Sequence, residues 1–427
     1  MNDLFGMPWR REPTARPAFR HHRGRAAVAA ASGAVALAAL AACSSSSSGS
    51  SSSAALAGST ASSSASASVA GSASASGSAA GVAHAQQQLA EYEKPATSFP
   101  APGPALDAAK VAALKGKTVL FVPDGLAGPF VLGQQGVEAG FAHLGITVKT
   151  CDPNFLPTEV AACFGEAKTD GAIGVITSGI PYNLAADAYQ ALEAEHIPVL
   201  VSAAGPGNPA DNSDLAFETG NASTTLAGTL SADQVIADSD GKANVLFVGA
   251  SGATGVDAQF TATLAEFKTY CPDCTVTAVS FDAANTSQIT SSVSSKLIGD
   301  SPTYLLSQAD AYMPYILPAV QTGGFAAKVK IVSETGAPEV LSLVQEQHGV
   351  LADPAFDSVY IGWDAVDGLL RLITGVSVPA DPYVPVRVFT AANLAGVHLS
   401  TAMNVNPLFG SESFEQMFFR LWAGQQP

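Results

Sequence analysis

From Lys117 onward, short apolar runs alternate with amphipathic stretches. That alternation leaves few folds open, because it is the pattern of parallel strands joined by crossover helices. In the first half the apolar runs are residues 118–122, 146–150, 172–176 and 198–201. Helical segments between them begin near Pro129, Pro157 and Pro181, where proline suits a first turn that has no N–H partner to lose. After a loop over 203–214 and a short run over 215–219, the alternation restarts with 244–248, 275–280, 303–307 and 330–333. A run at 358–361 reads as a strand crossing between the halves and leading into a helix over 363–373; 384–389 reads as a last strand. The expectation is an α/β chain of two doubly wound, Rossmann-like lobes with a ligand cleft between them, since ligands on such sheets bind beyond the carboxyl ends of the strands.

The N-terminal stretch has the three parts of an export signal: Arg10, Arg11, Arg16, Arg20, Arg23 and Arg25, then a small-residue apolar segment over 26–40, then Leu40-Ala41-Ala42-Cys43. This matches a bacterial lipoprotein signal, in which Cys43 becomes the first mature residue and carries acyl chains that hold it to the outer face of the cell membrane. The apolar segment is shorter than the ~20 residues of a membrane span. Arg10-Arg11 is followed by Glu12-Pro13 where a twin-arginine signal has an apolar residue. Residues 44–85 are almost wholly Ser, Ala and Gly and read as a flexible tether with a root-mean-square span on the order of 35 Å. The expected division is a leader over 1–42, lipidated cysteine and tether over 43–85, and a lead-in over 86–114. A first lobe is expected over 115–220 with 362–384, and a second over 221–361 with 385–427.

Charge narrows the partners. The whole chain carries −16, and loss of six arginines with Asp3 and Glu12 leaves −20 on the mature part. Nucleic acid is excluded for want of a basic patch. Only Arg371, Arg387 and Arg420 remain as guanidinium groups, so an anionic ligand is disfavoured. The pairs Cys151–Cys163 and Cys271–Cys274 read as structural disulfides in an oxidising compartment, in preference to a zinc half-site or a redox motif. His84, His143, His196, His348 and His398 occur singly, so no metal site is expected.

The chain resembles the type I periplasmic binding proteins, specifically the sugar-type solute-binding lipoproteins of bacterial ABC importers. The resemblance rests on Gly116 through Val122, on Gly128-Pro129-Phe130 after that run, and on Gly171 through Ile176 followed by a helix that ends at Ile197-Pro198-Val199. It implies two lobes that close around a small solute and present the closed form to a permease, with no cofactor, no bond made or broken, and a monomeric protein. It also implies that Phe130 stacks on a sugar, that Asn221 lies at a crossing between lobes, and that Asp310 and Glu334 face the cleft from the second lobe. The chain departs from the sugar-binding pattern in reading Ser202-Ala203-Ala204 where an Asp-Arg pair is usual. Thr177-Ser178-Gly179 likewise lacks an acidic residue.

Sugar recognition needs hydrogen-bonding groups around the ring edge and an apolar surface against its C–H face. Asp124, Ser178, Asn221, Asp257, Gln259, Asp310 and Glu334 are candidates for the first, and Phe130 and Trp363 for the second. The competing motif is the run over 245–255, in which Gly249, Gly252 and Gly255 follow a strand as in a dinucleotide fingerprint. An exported NAD(P)-dependent oxidoreductase is therefore the alternative. Against it stand the motif's place mid-chain, export away from the cytoplasmic cofactor, and the lack of a tyrosine followed four residues later by lysine. A sensor that hands its closed form to a signalling partner would share the fold.

Overall fold

The computed structural model describes residues 67–204, 210–251, 254–282, 286–399, 406–410 and 414–426. The expected leader, Cys43 and the first part of the serine-rich stretch lie outside them. Where the sequence reads as tether to residue 85, the chain forms a helix, α1 (Ala67–Tyr92). Its buried positions, Ser78, Gly81, Ala85 and Leu89, recur at helical spacing and face the second lobe. A short helix, α2 (Ala108–Ala112), follows, capped by the Asp107 carboxylate.

The first lobe consists of β1 (Thr118–Pro123), α3 (Pro129–Leu144), β2 (Thr147–Thr150), α4 (Pro157–Thr169), β3 (Val175–Ser178), α5 (Ala186–Ala194), β4 (Val199–Ser202) and β5 (Leu215–Glu218). Its five strands are parallel in the order β2-β1-β3-β4-β5. β4 is buried along its whole length, as a central parallel strand covered on both faces must be. The chain then crosses into α6 (Asn221–Asp238), β6 (Asn244–Ser251), α7 (Thr254–Tyr270), β7 (Thr275–Asp282), α8 (Ile289–Asp300), β8 (Tyr304–Ser307), α9 (Met313–Thr322), β9 (Lys330–Val332), α10 (Pro338–Gln345) and β10 (Val350–Phe356). It returns through α11 (Ser358–Thr374), crosses again to β11 (Val386–Thr390), and ends in α12 (Asn406–Phe409) and α13 (Phe414–Trp422). The second sheet runs β11-β10-β9-β8-β6-β7, parallel except for β11 against β10. Among the described residues no helix is long and apolar enough to cross a membrane.

The expected strand at 358–361 is helical. The strand lies just before it, at β10, and Asp357 starts the helix: its Oδ1 accepts from the amides of Val359 and Tyr360, both at 3.0 Å. The lobe boundaries shift with it. All of α11 packs on α3, β3, β4 and β5, and α13 joins the first lobe instead of the second, with Trp422 stacked on Trp363 at 5.7 Å. The lead-in is strapped to the same lobe by Leu106 N–H to the Leu421 carbonyl (2.9 Å) and Lys110 Nζ to the Thr374 carbonyl (2.8 Å). Both expected disulfides are present, Cys151–Cys163 and Cys271–Cys274, with Cα separations of 5.5 and 5.3 Å.

α3 and α11 meet backbone to backbone. A Cβ at Gly136 would stand 2.2 Å from the Val359 carbonyl oxygen, and one at Gly362 2.2 Å from that of Gly133. Gly136→Val should therefore destabilise the protein by about 3 kcal/mol in urea unfolding, by forcing the helices apart. Gly165→Ala, on the exposed face of α4 with nothing within 4 Å of the new Cβ, should stabilise it by up to about 1 kcal/mol.

Candidate functional site

Each sheet reverses its winding once. In the first lobe this happens between β1 and β3, in the second between β6 and β8, and the loops beyond these points are where doubly wound sheets hold ligands. Asp124 follows β1 and Tyr312 follows β8, and the two are close enough for the charge of Asp124 to act on the phenol. Burial first, and then Asp124, pushes Tyr312 up to about 12. Its ring is held edge-on to Phe281 at 4.8 Å.

Asp124 is fixed by its backbone: its N–H donates to the Ser178 carbonyl and its carbonyl accepts from Phe155, both at 2.8 Å. Its carboxyl is half-buried, is raised to about 6 by burial, and has no hydrogen-bond partner among the described residues. Phe130, in the first turn of α3, lies beside it. A Cβ at Gly179 would stand 2.7 Å from the Phe130 ring and 3.5 Å from the Asp124 Cβ, so only glycine fits between β3 and these two side chains.

Phe155 completes this corner and is absent from the sequence-derived set. It is 40% exposed and edge-on to Phe130 at 6.3 Å. Asn154 and Phe155 both take left-handed backbone angles, φ 53 and 59, held by the Asp152 carboxylate accepting from Asn154 N–H (2.8 Å) and Leu126 N–H (3.3 Å). Gly125 leaves room for the Phe155 ring, which a Cβ there would meet at 2.4 Å. The signal available in the sequence was Asp152-Pro153-Asn154, a turn-forming run next to a cysteine.

The other expected residues divide. Ser178, half-buried, ends β3 beside Asp124. Asn221 opens α6 at the crossing from β5, and its buried Oδ1 has no hydrogen-bond partner among the described residues. Around it the crossings are tied together: Thr219 N–H donates to the Ala380 carbonyl (2.8 Å), Ala222 N–H reaches both Asp381 oxygens (3.2 and 3.3 Å), and Asp357 N–H donates to the Pro385 carbonyl (2.9 Å). Asp257 lies exposed in the first turn of α7.

Asp310 and Glu334 are turned inward. Asp310 accepts from Ser333 Oγ (2.5 Å) and Ala337 N–H (2.6 Å), closing the turn from β9 to α10. Glu334, with no exposed surface, accepts from Gln259 Nε2, and Asp353 accepts from Gly336 N–H at 3.2 Å. Burial raises all three acids, Asp310 to about 7. Trp363 lies mid-helix in α11, 3% exposed, its ring among Phe414, Phe418, Phe419 and Trp422. The expected position at a strand end gives way because the helix starts five residues earlier.

The glycine-rich run does not form a free phosphate loop over its described part. β6 continues through Gly249 to Ser251, and Gln308 spans the turn: its Oε1 accepts from Ala250 N–H and its Nε2 donates to the Val256 carbonyl, both at 2.7 Å. One of the histidines that occur singly in the sequence gains acidic neighbours in the fold. His84 meets Asp233 and Glu266, with one ligand atom of each within 4.8 Å of the others.

No protein-family model matches the sequence, and no curated protein matches it. Solved structures do match in fold. They include a sugar ABC transporter protein of Yersinia enterocolitica, at TM-score 0.60 and 19% identity over 77% of this chain and 99% of that one. The 5-methylthioribose transporter solute-binding protein of Thermotoga lettingae, in complex with 5-methylthioribose, matches at TM-score 0.59 and 16% identity over 72% and 97%. The Caulobacter myo-inositol binding protein, bound to myo-inositol, matches at 0.55 and 17% over 65% and 94%. The chain has the two-lobed type I periplasmic binding protein fold.

The buried acids set the pH dependence of stability. Asp310 and Asp357 are raised to about 7 by burial. Between pH ~4 and ~7 the unfolded chain has lost these protons while the folded chain keeps them, so stability falls as pH rises through that window and levels off above it. Asp357→Asn keeps a capping oxygen but cannot ionise. Its melting temperature should therefore decline less steeply than wild type from pH 4 to 7, and parallel curves would refute the assignment.

Proposed function

We propose that this chain is an extracytoplasmic solute-binding lipoprotein that captures a small, neutral, polar solute, a sugar or polyol, by closure of its two lobes and delivers it to the permease of an ABC importer. The observation that carries this reading is the corner formed by Asp124, Phe130 and Phe155. It pairs a half-buried carboxyl without a hydrogen-bond partner among the described residues with two aromatic rings, at the winding reversal of one sheet and within electrostatic reach of Tyr312 at the reversal of the other. An ionised carboxylate accepts hydroxyl hydrogen bonds strongly, while an aromatic face covers the C–H side of a sugar ring. The solute ligands of the similar structures support this class of cargo. Ser178, Asn221 and Asp257 stand at the same strand ends or at the crossing and are proposed as further contacts. Export, the lipid anchor at Cys43 and a monomeric state complete the reading; two disulfides fit an oxidising compartment.

The test is a thermal-shift screen of the full chain against sugars, polyols, nucleosides, amino acids and NADP(H). A specific ligand at 100 times its Kd should add about 2.7 kcal/mol of stability. One sugar or polyol should raise the melting temperature, and Asp124→Ala and Phe130→Ala should each weaken its binding at least tenfold. Affinity should also fall as pH drops below about 6, where the Asp124 carboxylate takes up its proton. A shift with NADP(H) alone would overturn the reading.

A further inference from the structure

His84, Asp233 and Glu266 come from three helices, α1, α6 and α7, and nothing in their sequence spacing connects them. In the fold, His84 Nε2 lies 3.1 Å from Glu266 Oε1, and the three ligand atoms fall within 4.8 Å of one another. A tetrahedral ion with bonds of about 2.1 Å sets its ligand atoms about 3.4 Å apart, so modest side-chain rotations close the tripod. The second observation is Asp233 itself. It is 1% exposed, and among the described residues no hydrogen-bond donor reaches its Oδ1. A buried acceptor left in that state is costly, and a cation would satisfy it.

The imidazole is already oriented. Its ring stacks on Tyr270 at 3.7 Å with planes 5° apart. α1 is pressed against this end of α7: a Cβ at Gly81 would overlap the Tyr270 carbonyl, and Ser78 Oγ donates to Asp273 at 2.8 Å.

We infer that His84, Asp233 and Glu266 form a site for a divalent transition-metal ion that clips α1 to the second lobe. One imidazole and two carboxylates suit zinc, with water in the remaining position, and the nitrogen ligand disfavours calcium and magnesium. Asp233 and Glu266 each lie about 18 Å along their helices from the N-termini. α6 begins at the crossing between lobes and α7 beyond β6. The ion therefore acts on the attachment of α1 and not on captured solute.

The test uses the full chain, stripped with chelator and titrated with zinc chloride by calorimetry, with cobalt(II) absorption as a check on geometry. One equivalent should bind, cobalt should give visible d–d bands, and zinc should slow amide exchange over residues 78–92. His84→Gln and Asp233→Asn should each lower zinc affinity at least tenfold, while His196→Gln, at the surface pair with Asp214, should leave it unchanged. The proposal fails if wild type takes up no stoichiometric zinc, if His84→Gln binds as wild type does, or if His196→Gln abolishes binding.

Discussion

The contact of α3 with α11 organises the rest of the molecule. Gly136 on one helix and Gly362 on the other let the two backbones touch, an approach that a side chain at either position would prevent. This contact assigns α11 to the first lobe although the chain places it between β10 and β11, two strands of the second sheet. The chain must therefore cross between lobes before and after α11, in addition to the crossing after β5. Three neighbouring crossings, hydrogen-bonded to one another, define the line about which the lobes face each other and so fix which strand ends look across the cleft.

A second constraint is the shortage of cations. The chain carries 36 acidic and 20 basic residues, and among the described residues Asp367 is the one buried carboxyl in a salt bridge. In the first lobe Glu218, Asp364 and Asp367 share one guanidinium, that of Arg371, whose Nε donates to Asp367 at 2.6 Å. Trp422 Nε1 donates to the other Asp367 oxygen at 2.9 Å. Burial raises Glu218 and Asp364 well above the ordinary range, and the same holds for Glu334 and Asp353 across the crossings. Low dielectric favours the neutral form where no partner is at hand. Such groups act as hydrogen-bonding elements of the core, as Asp310 and Glu334 do within the second lobe.

The alternation of apolar runs was enough to read the two-lobed architecture and most strands, while Phe130 was singled out by the family resemblance and lies beside Asp124 in the fold. Both disulfides were legible too, because exported chains rarely leave paired cysteines free. What escaped has physical reasons. α1 looked like linker because its buried stripe is Ser78, Gly81 and Ala85, residues too small to register as hydrophobic, and only Leu89 marks the face. β10 was hidden by Asp353-Pro354, a pair that reads as a turn, and the strand tolerates the proline where it faces β11. Trp363 looked like a binding residue because a lone tryptophan after an apolar run is conspicuous; its partners lie some fifty residues further on, in α13. Asp310 and Glu334 sit at strand ends as expected, but side-chain direction there depends on Ser333, Ala337 and Gln259, which no local pattern reveals.

The packing of α1 has a mechanical consequence. The chain enters the folded body through a helix seated on α6, α7 and β11, so force applied along the polypeptide ahead of it is borne by the second lobe. The first lobe is joined to that point by the three crossings, by the lead-in that follows α1 and by the chain between β11 and α13. Were the chain held ahead of α1, as the proposed anchor would hold it, the second lobe would be the stationary one in any rotation of the lobes, and the first, which carries Asp124, Phe130 and Phe155, the one that turns.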